Sequence, residues 1–234
     1  KNEQLRANLL RSISHDLRTP LTSISGNAGI LISNADNMGK EKQQQLYEDI
    51  YEDSLWLINL VENLLSVTRI EDGTMKLQFN AELLEEIVQE AVHHVEKRCK
   101  KHKLRVKLSD DLILVKADAR LIVQVLVNLV DNAVKYTPNG SEILIETKQE
   151  GKNAVVSVSD NGKGISDEAK EHIFEMFYTD SSHVADSRRS LGLGLALCKS
   201  ILHVHGGNIF VEDCQPHGAR FTFTLPAKEV QLHE

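Results

Sequence analysis

The sequence has few cysteines, no long apolar run and no basic stripe, and each shortage closes off a class of protein. Cys99, Cys198 and Cys214 are odd in number and show neither metal-ligand nor disulfide spacing, which points to reduced thiols in a cytosolic setting. No apolar stretch approaches the ~18 residues needed to span a bilayer, and no signal peptide is visible. A formal net charge of −7, with no basic stripe interleaved with aromatics, argues against a nucleic-acid binder. The one basic run, Lys97 to Lys103, reads as a solvated helix end where cations complement the helix dipole. No internal repeat is evident. What is present is ordinary: 41% hydrophobic and 26% charged residues over 234 positions, enough for one large or two modest domains. The chain begins inside an amphipathic pattern without a clear cap, so we expect a fragment of something longer.

Two regions differ in hydrophobic period. Residues ~1–70 read as two long helices. In the first, apolar residues recur at Leu10, Ile13, Leu17, Leu21, Ile24, Ala28 and Leu31. With Leu10 and Ile13 as seam positions a and d, His15 falls at f, farthest from the seam, facing water or an incoming partner. Pro20, five residues on, cannot donate to the Asp16 carbonyl and costs roughly 3 kcal/mol in a helix interior. Such a cost beside an exposed, titratable ring hints at a functional site, with a tolerated kink as the bland alternative. The second helix carries Tyr47, Ile50, Ser54, Leu57, Val61, Leu64 and Thr68, widened by Ile58 and Leu65. A turn-rich break, Ser33 to Gly39, separates the two. A hairpin with this much apolar face predicts pairing with a second copy into a four-helix bundle, hence a homodimer. Packing on the chain's own second domain is the competing reading.

From Met75 onward helices and strands alternate. The pattern predicts strands at Lys76–Asn80, Leu104–Leu108, Leu112–Lys116, Ile143–Lys148, Ala154–Ser159, Ile209–Asp213 and Arg220–Leu225. It predicts helices at Ala81–Lys101, from an Asp118 N-cap to about Tyr136, near Asp167–Phe177 and at Gly194–Val204. The fold class is therefore a helical hairpin, forming a dimeric four-helix bundle, followed by an α/β sandwich with a mixed sheet. The expected division is 1–72 and 73–234.

The helix after Asp118 is apolar on nearly all sides, yet Gln124, Asn128 and Asn132 form a polar ridge, with Asp131 and Lys135 beside it. Buried amides must find partners or cost about 1–3 kcal/mol each. A side-chain network would satisfy them; so would a phosphate tail with a magnesium ion, since amide oxygens suit a hard cation and Lys135 suits phosphate. Asp160-Asn161-Gly162-Lys163-Gly164 follows a strand. A carboxylate there can accept from an exocyclic amine such as that of adenine, and the glycines allow close backbone approach. It could equally be an ordinary turn. Gly192-Leu193-Gly194 opens a helix, where backbone N–H groups favour phosphate. Tyr178–Leu191 is polar and long enough to be a mobile lid or an inert loop.

The joint order of histidine box, asparagine helix, Asp-x-Gly-x-Gly, Phe174-Glu175-Met176-Phe177 and Gly-x-Gly resembles the cytoplasmic core of bacterial sensor histidine kinases across essentially the whole chain. The run Ser14–Leu21 with Thr22, and His205-Gly206-Gly207, are similar to the Kdp-type potassium sensors. The resemblance implies a dimerisation and phosphoacceptor domain at 1–72, and a Bergerat-type ATP-binding domain at 73–234. It implies His15 as phosphoacceptor, Asp16 as its acidic neighbour and Thr19 as the position associated with dephosphorylating a regulator. Asn128 and Asn132 match magnesium and phosphate contacts, Lys135 and Tyr136 nucleotide contacts, Asp160 the adenine reader, and Gly162, Gly164, Gly192 and Gly194 the glycine boxes. Two positions depart from the family: Thr179 stands where an arginine is frequent, and Ser190 replaces the first glycine of Gly-x-Gly-x-Gly. Arg188 or Arg189 is the substitute for that charge on phosphate. Gly218-Ala219-Arg220 stands where Gly-Thr is common.

The implied chemistry is ATP-dependent phosphorylation of His15, then transfer to an aspartate of a response regulator receiver domain. The implied setting is the cytoplasmic portion of a membrane-bound sensor whose sensing region lies outside this sequence. A conformational ATPase and a silent dimeric scaffold are the alternatives; the first gives no account of His15-Asp16, and the ridge argues against the second.

Overall fold

The computed structural model describes residues 2–178 and 192–228. It divides into two compact units, residues 1–65 and 66–234. Helix α1, Asn2–Asn34, runs through Pro20 without ending. A 3-10 turn at Ala35–Asn37 leads to helix α2, Lys40–Glu71.

The burial pattern corrects the seam positions. On α1, Leu17, Pro20, Ile24, Asn27 and Leu31 are buried or half-buried, a continuation of the Leu10/Ile13 heptad. Leu21, expected on the seam, is 54% exposed because buried Pro20 holds that position instead. On α2, Leu46, Ile50, Asp53, Leu57, Leu60, Leu64 and Val67 are buried or half-buried, alternating by four and three, and Ser54 is half-buried beside them. Tyr47, Val61 and Thr68, expected on the same seam, lie one step around the helix and are exposed. Tyr47, Tyr51, Leu55, Ile58, Val61 and Leu65 thus form a second apolar stripe that the single chain leaves uncovered. One helix presents two faces, and one neighbour can bury only one.

In the second unit, Val67 and Ile70 from the last turns of α2 enter a core shared with the α/β elements. These are β1 Asn80–Leu83, α3 Leu84–Val95, β2 Lys103–Lys107, β3 Leu114–Ala117 and α4 Ala119–Tyr136. Then come β4 Glu142–Glu150, β5 Asn153–Asp160, α5 Asp167–His172, α6 Gly194–Val204, β6 Asn208–Asp213 and β7 Ala219–Lys228. Strand order is β1-β3-β7-β5-β4-β2, with β6 also on β7. Only β2–β4 is parallel, so the sheet is mixed. Ile143 and Ile145 of β4, Val156 and Val158 of β5 and Phe223 and Leu225 of β7 point into the core with α3, α4 and α6. Glu142 and Glu146 alternate to the other face, paired with Arg105 and Lys107 of β2.

Three expected elements shift. Residues 76–79 are not a strand, because the Gln78 N–H donates to the Asp118 carboxylate at 3.0 Å instead of to a neighbouring strand. The helix expected at Ala81–Lys101 begins three residues later, since Asn80–Leu83 pairs with Leu114–Ala117. It gives way after Val95 to a separate 3-10 turn at Arg98–Lys101. The helix near Asp167 stops at His172; its N-cap is Ser166, whose Oγ accepts from the Ala169 N–H at 3.2 Å.

Asp118 occupies the N-cap position of α4, but its side chain does not cap. Its carboxylate accepts from Gln78 N–H and from Arg120 Nε and Nη2 at 3.3 and 3.2 Å. Burial pushes this carboxyl up; the bonds from Arg120 and Gln78 outweigh burial and hold it below its ordinary value. The Asp118 backbone N–H donates to Nε2 of buried His205 at 3.0 Å, while His205 Nδ1 donates to the Ile201 carbonyl at 2.7 Å. These two bonds specify the neutral ring with its proton on Nδ1. The Phe79 ring packs edge-on against it, centroids 5.0 Å apart. One histidine thus ties the start of α4, the end of α6 and the segment before β1.

Burial lowers the His205 pKa, against the Ile201 carbonyl and the Asp118 carboxylate that raise it. A depressed folded value means the stabilisation is whole above the unfolded value of about 6.5 and is lost as pH falls from there through the folded one. His205→Ala leaves the Asp118 N–H buried without a partner, a cost of about 1–3 kcal/mol at pH 7.5. Urea unfolding should show the parent losing more stability than this variant between pH 7.5 and 5.5; equal losses would contradict the assignment.

Candidate functional site

Helix α4 carries the ridge. Seven of its residues are buried, among them Val125, Leu126, Leu129 and Val130, so the helix cannot rotate to release its amides to water. Gln124, Asn128, Asn132 and Lys135 are half-buried. Asn128 Nδ2 is fully enclosed and has no hydrogen-bond partner of normal geometry among the described residues. A donor left in that state is costly, and an anionic oxygen ligand would satisfy it. The amide oxygens of such a ridge suit a hard cation, and among the described residues no His/Cys/Asp/Glu cluster competes for one. Asp131 belongs elsewhere: it is ion-paired with Arg98, and burial raises its pKa against that guanidinium.

The glycine-led start of α6 meets this ridge. A Cβ on Gly194 would lie 4.0 Å from Cγ of Asn128. Behind it, Cys198 is sealed: burial pushes its thiol up to about 12, the adjacent Asn128 amide opposing. The cysteine is therefore a core residue and no nucleophile.

Asp160, at the end of β5, forms the other end of the site. Its Oδ1 accepts from the Gly162 N–H at 2.8 Å and from the Ala219 N–H at 3.4 Å. Oδ2 receives no hydrogen bond among the described residues. Burial raises the Asp160 pKa, and the Gly162 and Ala219 N–H groups pull it back. The result is a carboxylate with one oxygen fixed by backbone and one free to accept from a ligand N–H. Gly162 is needed at its position, because a Cβ there would sit 2.8 Å from both Asp160 Oδ1 and Thr137 Cγ2. Thr137, directly after α4, is buried, and its hydroxyl donates to the Ala133 carbonyl at 2.7 Å. The contact places the C-terminal end of α4, with Tyr136 half exposed and the Lys135 ammonium 5.2 Å above its ring, next to the Asp160 loop.

Of the residues singled out from sequence, the structure thus joins Asn128 to Gly194, and Asp160 and Gly162 to the end of α4. Gly164, with φ +80°, lies against the Gly218 carbonyl. His15, Asp16 and Thr19 lie on α1 in the other unit; Thr19 is exposed, and the side chains of His15 and Asp16 lie outside the described residues. Arg188, Arg189, Thr179 and Ser190 also lie outside them. Sequence reasoning missed Thr137, His217 and the neck at Phe177–Gly192. Phe177 has φ 66°, and its N–H donates to the Gly192 carbonyl at 3.2 Å. Only the paired glycines hinted at that closure.

Comparison with known proteins gives a family context. Residues 5–73 match the His Kinase A (phospho-acceptor) domain, and residues 117–229 match the histidine kinase-, DNA gyrase B- and HSP90-like ATPase family. The sensor protein KdpD of Clostridium acetobutylicum is 46% identical over 226 residues, covering 97% of this chain and 25% of that protein. The chain spans about a quarter of the length of the KdpD relatives it matches, 25% for the Clostridium acetobutylicum and the Escherichia coli proteins. Among solved structures, the catalytic domain of histidine kinase ThkA is 31% identical with a TM-score of 0.57, covering 64% of this chain and 95% of that one. ThkA in complex with response regulator protein TrrA is 27% identical with a TM-score of 0.72, covering 97% of this chain and 64% of that one.

Gly192 supplies a steric test of the neck. It has φ +62°, and a Cβ there would lie 2.2 Å from the Tyr178 carbonyl oxygen. Gly192→Ala should cost at least about 1–3 kcal/mol of stability in urea unfolding, through left-handed strain plus that clash; an unchanged midpoint would show that the neck is not built as described.

Proposed function

The chain belongs to the sensor histidine kinases, and from that premise we propose that it binds ATP in the α4–Asp160–α6 site and transfers the γ-phosphoryl group to His15. The observation that carries this reading is the pairing of a half-buried carboxylate with one free oxygen at one end and, beside the α6 N-terminus at the other, an enclosed amide N–H with no hydrogen bond of normal geometry among the described residues. An acceptor at one end and donors at the other suit a purine amine and a phosphate tail. Asp160 accepts from the adenine amine. Lys135 and Tyr136 contact the nucleotide, the glycines at 162, 164, 192 and 194 admit it closely, and Arg188 or Arg189 meets the terminal phosphates. Asn128 and Asn132 would hold magnesium, which when bound neutralises phosphate charge.

A ring nitrogen of His15 attacks the γ-phosphorus, the bond to the bridging oxygen breaks, and ADP leaves. The neutral imidazole is the nucleophilic form. Asp16 accepts a hydrogen bond from the other ring nitrogen and stabilises the positive charge that develops there. The phosphoryl group then passes to an aspartate of a response regulator receiver domain, and Thr19 supports attack of water on that aspartyl phosphate, which releases inorganic phosphate. We assign residues 1–72 to dimerisation and phosphotransfer and 73–234 to catalysis. The uncovered stripe on α2 supports a homodimer, since a second copy would bury it. No helix among the described residues is long and apolar enough to cross a membrane; the membrane link belongs to a sensing region of the longer protein, of the Kdp type.

Incubation with γ-labelled ATP should give an acid-labile, alkali-stable label that is lost in His15→Ala. It should also be lost in Asn132→Ala without loss of the circular-dichroism signal. Free labelled phosphate with no label on the protein would favour a conformational ATPase instead.

A further inference from the structure

The turn before β7 carries a histidine that the reaction above does not use. His217 Nδ1 lies 3.0 Å from the Gly162 carbonyl oxygen. A carbonyl can only accept, so the ring proton sits on Nδ1. This contact spans 55 residues of sequence and belongs to a closed circuit. Gly162 N–H holds Asp160 Oδ1, Ala219 N–H holds the same oxygen, and His217 reaches back from beside Ala219 to the other side of the Gly162 residue. The turn is itself closed by the Cys214 N–H on the Gly218 carbonyl at 2.9 Å. Gly218, at φ +117°, is packed so tightly that a Cβ there would lie 1.9 Å from the Asp160 carbonyl oxygen. The two loops therefore fit as one piece.

We propose that His217 is a positioning residue for the purine-reading carboxylate: its Nδ1–H on the Gly162 carbonyl locks the Asp160–Gly164 loop, so that one oxygen of Asp160 stays bound to backbone and the other stays aimed outward for the base. This rests on the nucleotide reading above. The bland alternative is a surface histidine that merely stiffens a turn, because the residue is exposed. The circuit argues against it. The Ala219 bond to Asp160 is long at 3.4 Å, which leaves the short Gly162 bond as the main fixture of the carboxylate. The orientation of Gly162 is what His217 sets. Losing that restraint lets the loop sample states in which Asp160 is misaimed, and binding then carries the cost of reordering it.

The test is calorimetric titration of the full chain with ADP, alongside thermal unfolding without nucleotide. His217→Ala should weaken ADP binding about fivefold, the effect of one neutral hydrogen bond. His217→Asn, whose amide N–H can take the place of Nδ1–H, should stay within about twofold of the parent by the same reasoning. An unchanged dissociation constant in His217→Ala, with only a lowered unfolding midpoint, would overturn the proposal, as would His217→Asn binding as weakly as His217→Ala. Asp160→Asn separates the two layers. If it abolishes ADP binding while His217→Ala binds normally, only the role of His217 falls. If Asp160→Asn binds ADP like the parent, the purine site itself is misplaced.

Discussion

A half-buried carboxylate held by backbone N–H groups is the interaction on which the second unit's site depends. Asp160 sits where β5 ends, with Oδ1 committed to Gly162 and Ala219. Burial raises its pKa, and those two donors keep the rise in check. An acid there without them would take a proton more readily and present a donor where an acceptor is needed. The surrounding glycines follow from this. Gly162 and Gly218 leave room for the donors to approach, and a Cβ at either would strike Asp160.

The rest of the site works under the opposite constraint, an unsatisfied group kept in place by packing. Asn128 is carried into the interior by a helix whose apolar face, Val125, Leu126 and Leu129, is buried, and its amide N–H finds no hydrogen bond of normal geometry among the described residues. Such a residue weakens the fold, and a core built for stability alone would hold an aliphatic side chain there. Retaining it beside the start of α6 makes sense when a ligand completes it. The buried polar cluster at Asp118 and His205 is different in kind: every group has its partner, and the cluster serves to join three segments rather than to receive anything.

Local patterns were legible wherever one element buries one face. Helix α6 spans Gly194–Val204 as its apolar run and glycine start imply, and α4 ends at Tyr136 where the aliphatic spacing stops. Reading failed where a distant partner decides. Residues 76–79 alternate like a strand, yet Gln78 is held by a carboxylate 40 residues away. The first three residues of the expected long helix at Ala81 were taken by pairing with β3. On α1, the apolar spacing assigns the heptad position to Leu21, although it is Pro20 that sits buried there. The motifs single out Asp160 and the amides proposed for the site but not the residues that brace them. His217 has neither periodicity nor neighbouring motif to mark it; only the closing of two loops against each other makes it meaningful.

The account stands on Asp160 presenting a hydrogen-bond acceptor to the base. The most direct measurement compares ADP with GDP, whose ring carries an oxygen where adenine carries an amine, by titration calorimetry at pH 7.5. Two acceptors facing each other in a buried site should weaken GDP by at least about a hundredfold relative to ADP. Equal affinity for the two nucleotides would contradict it.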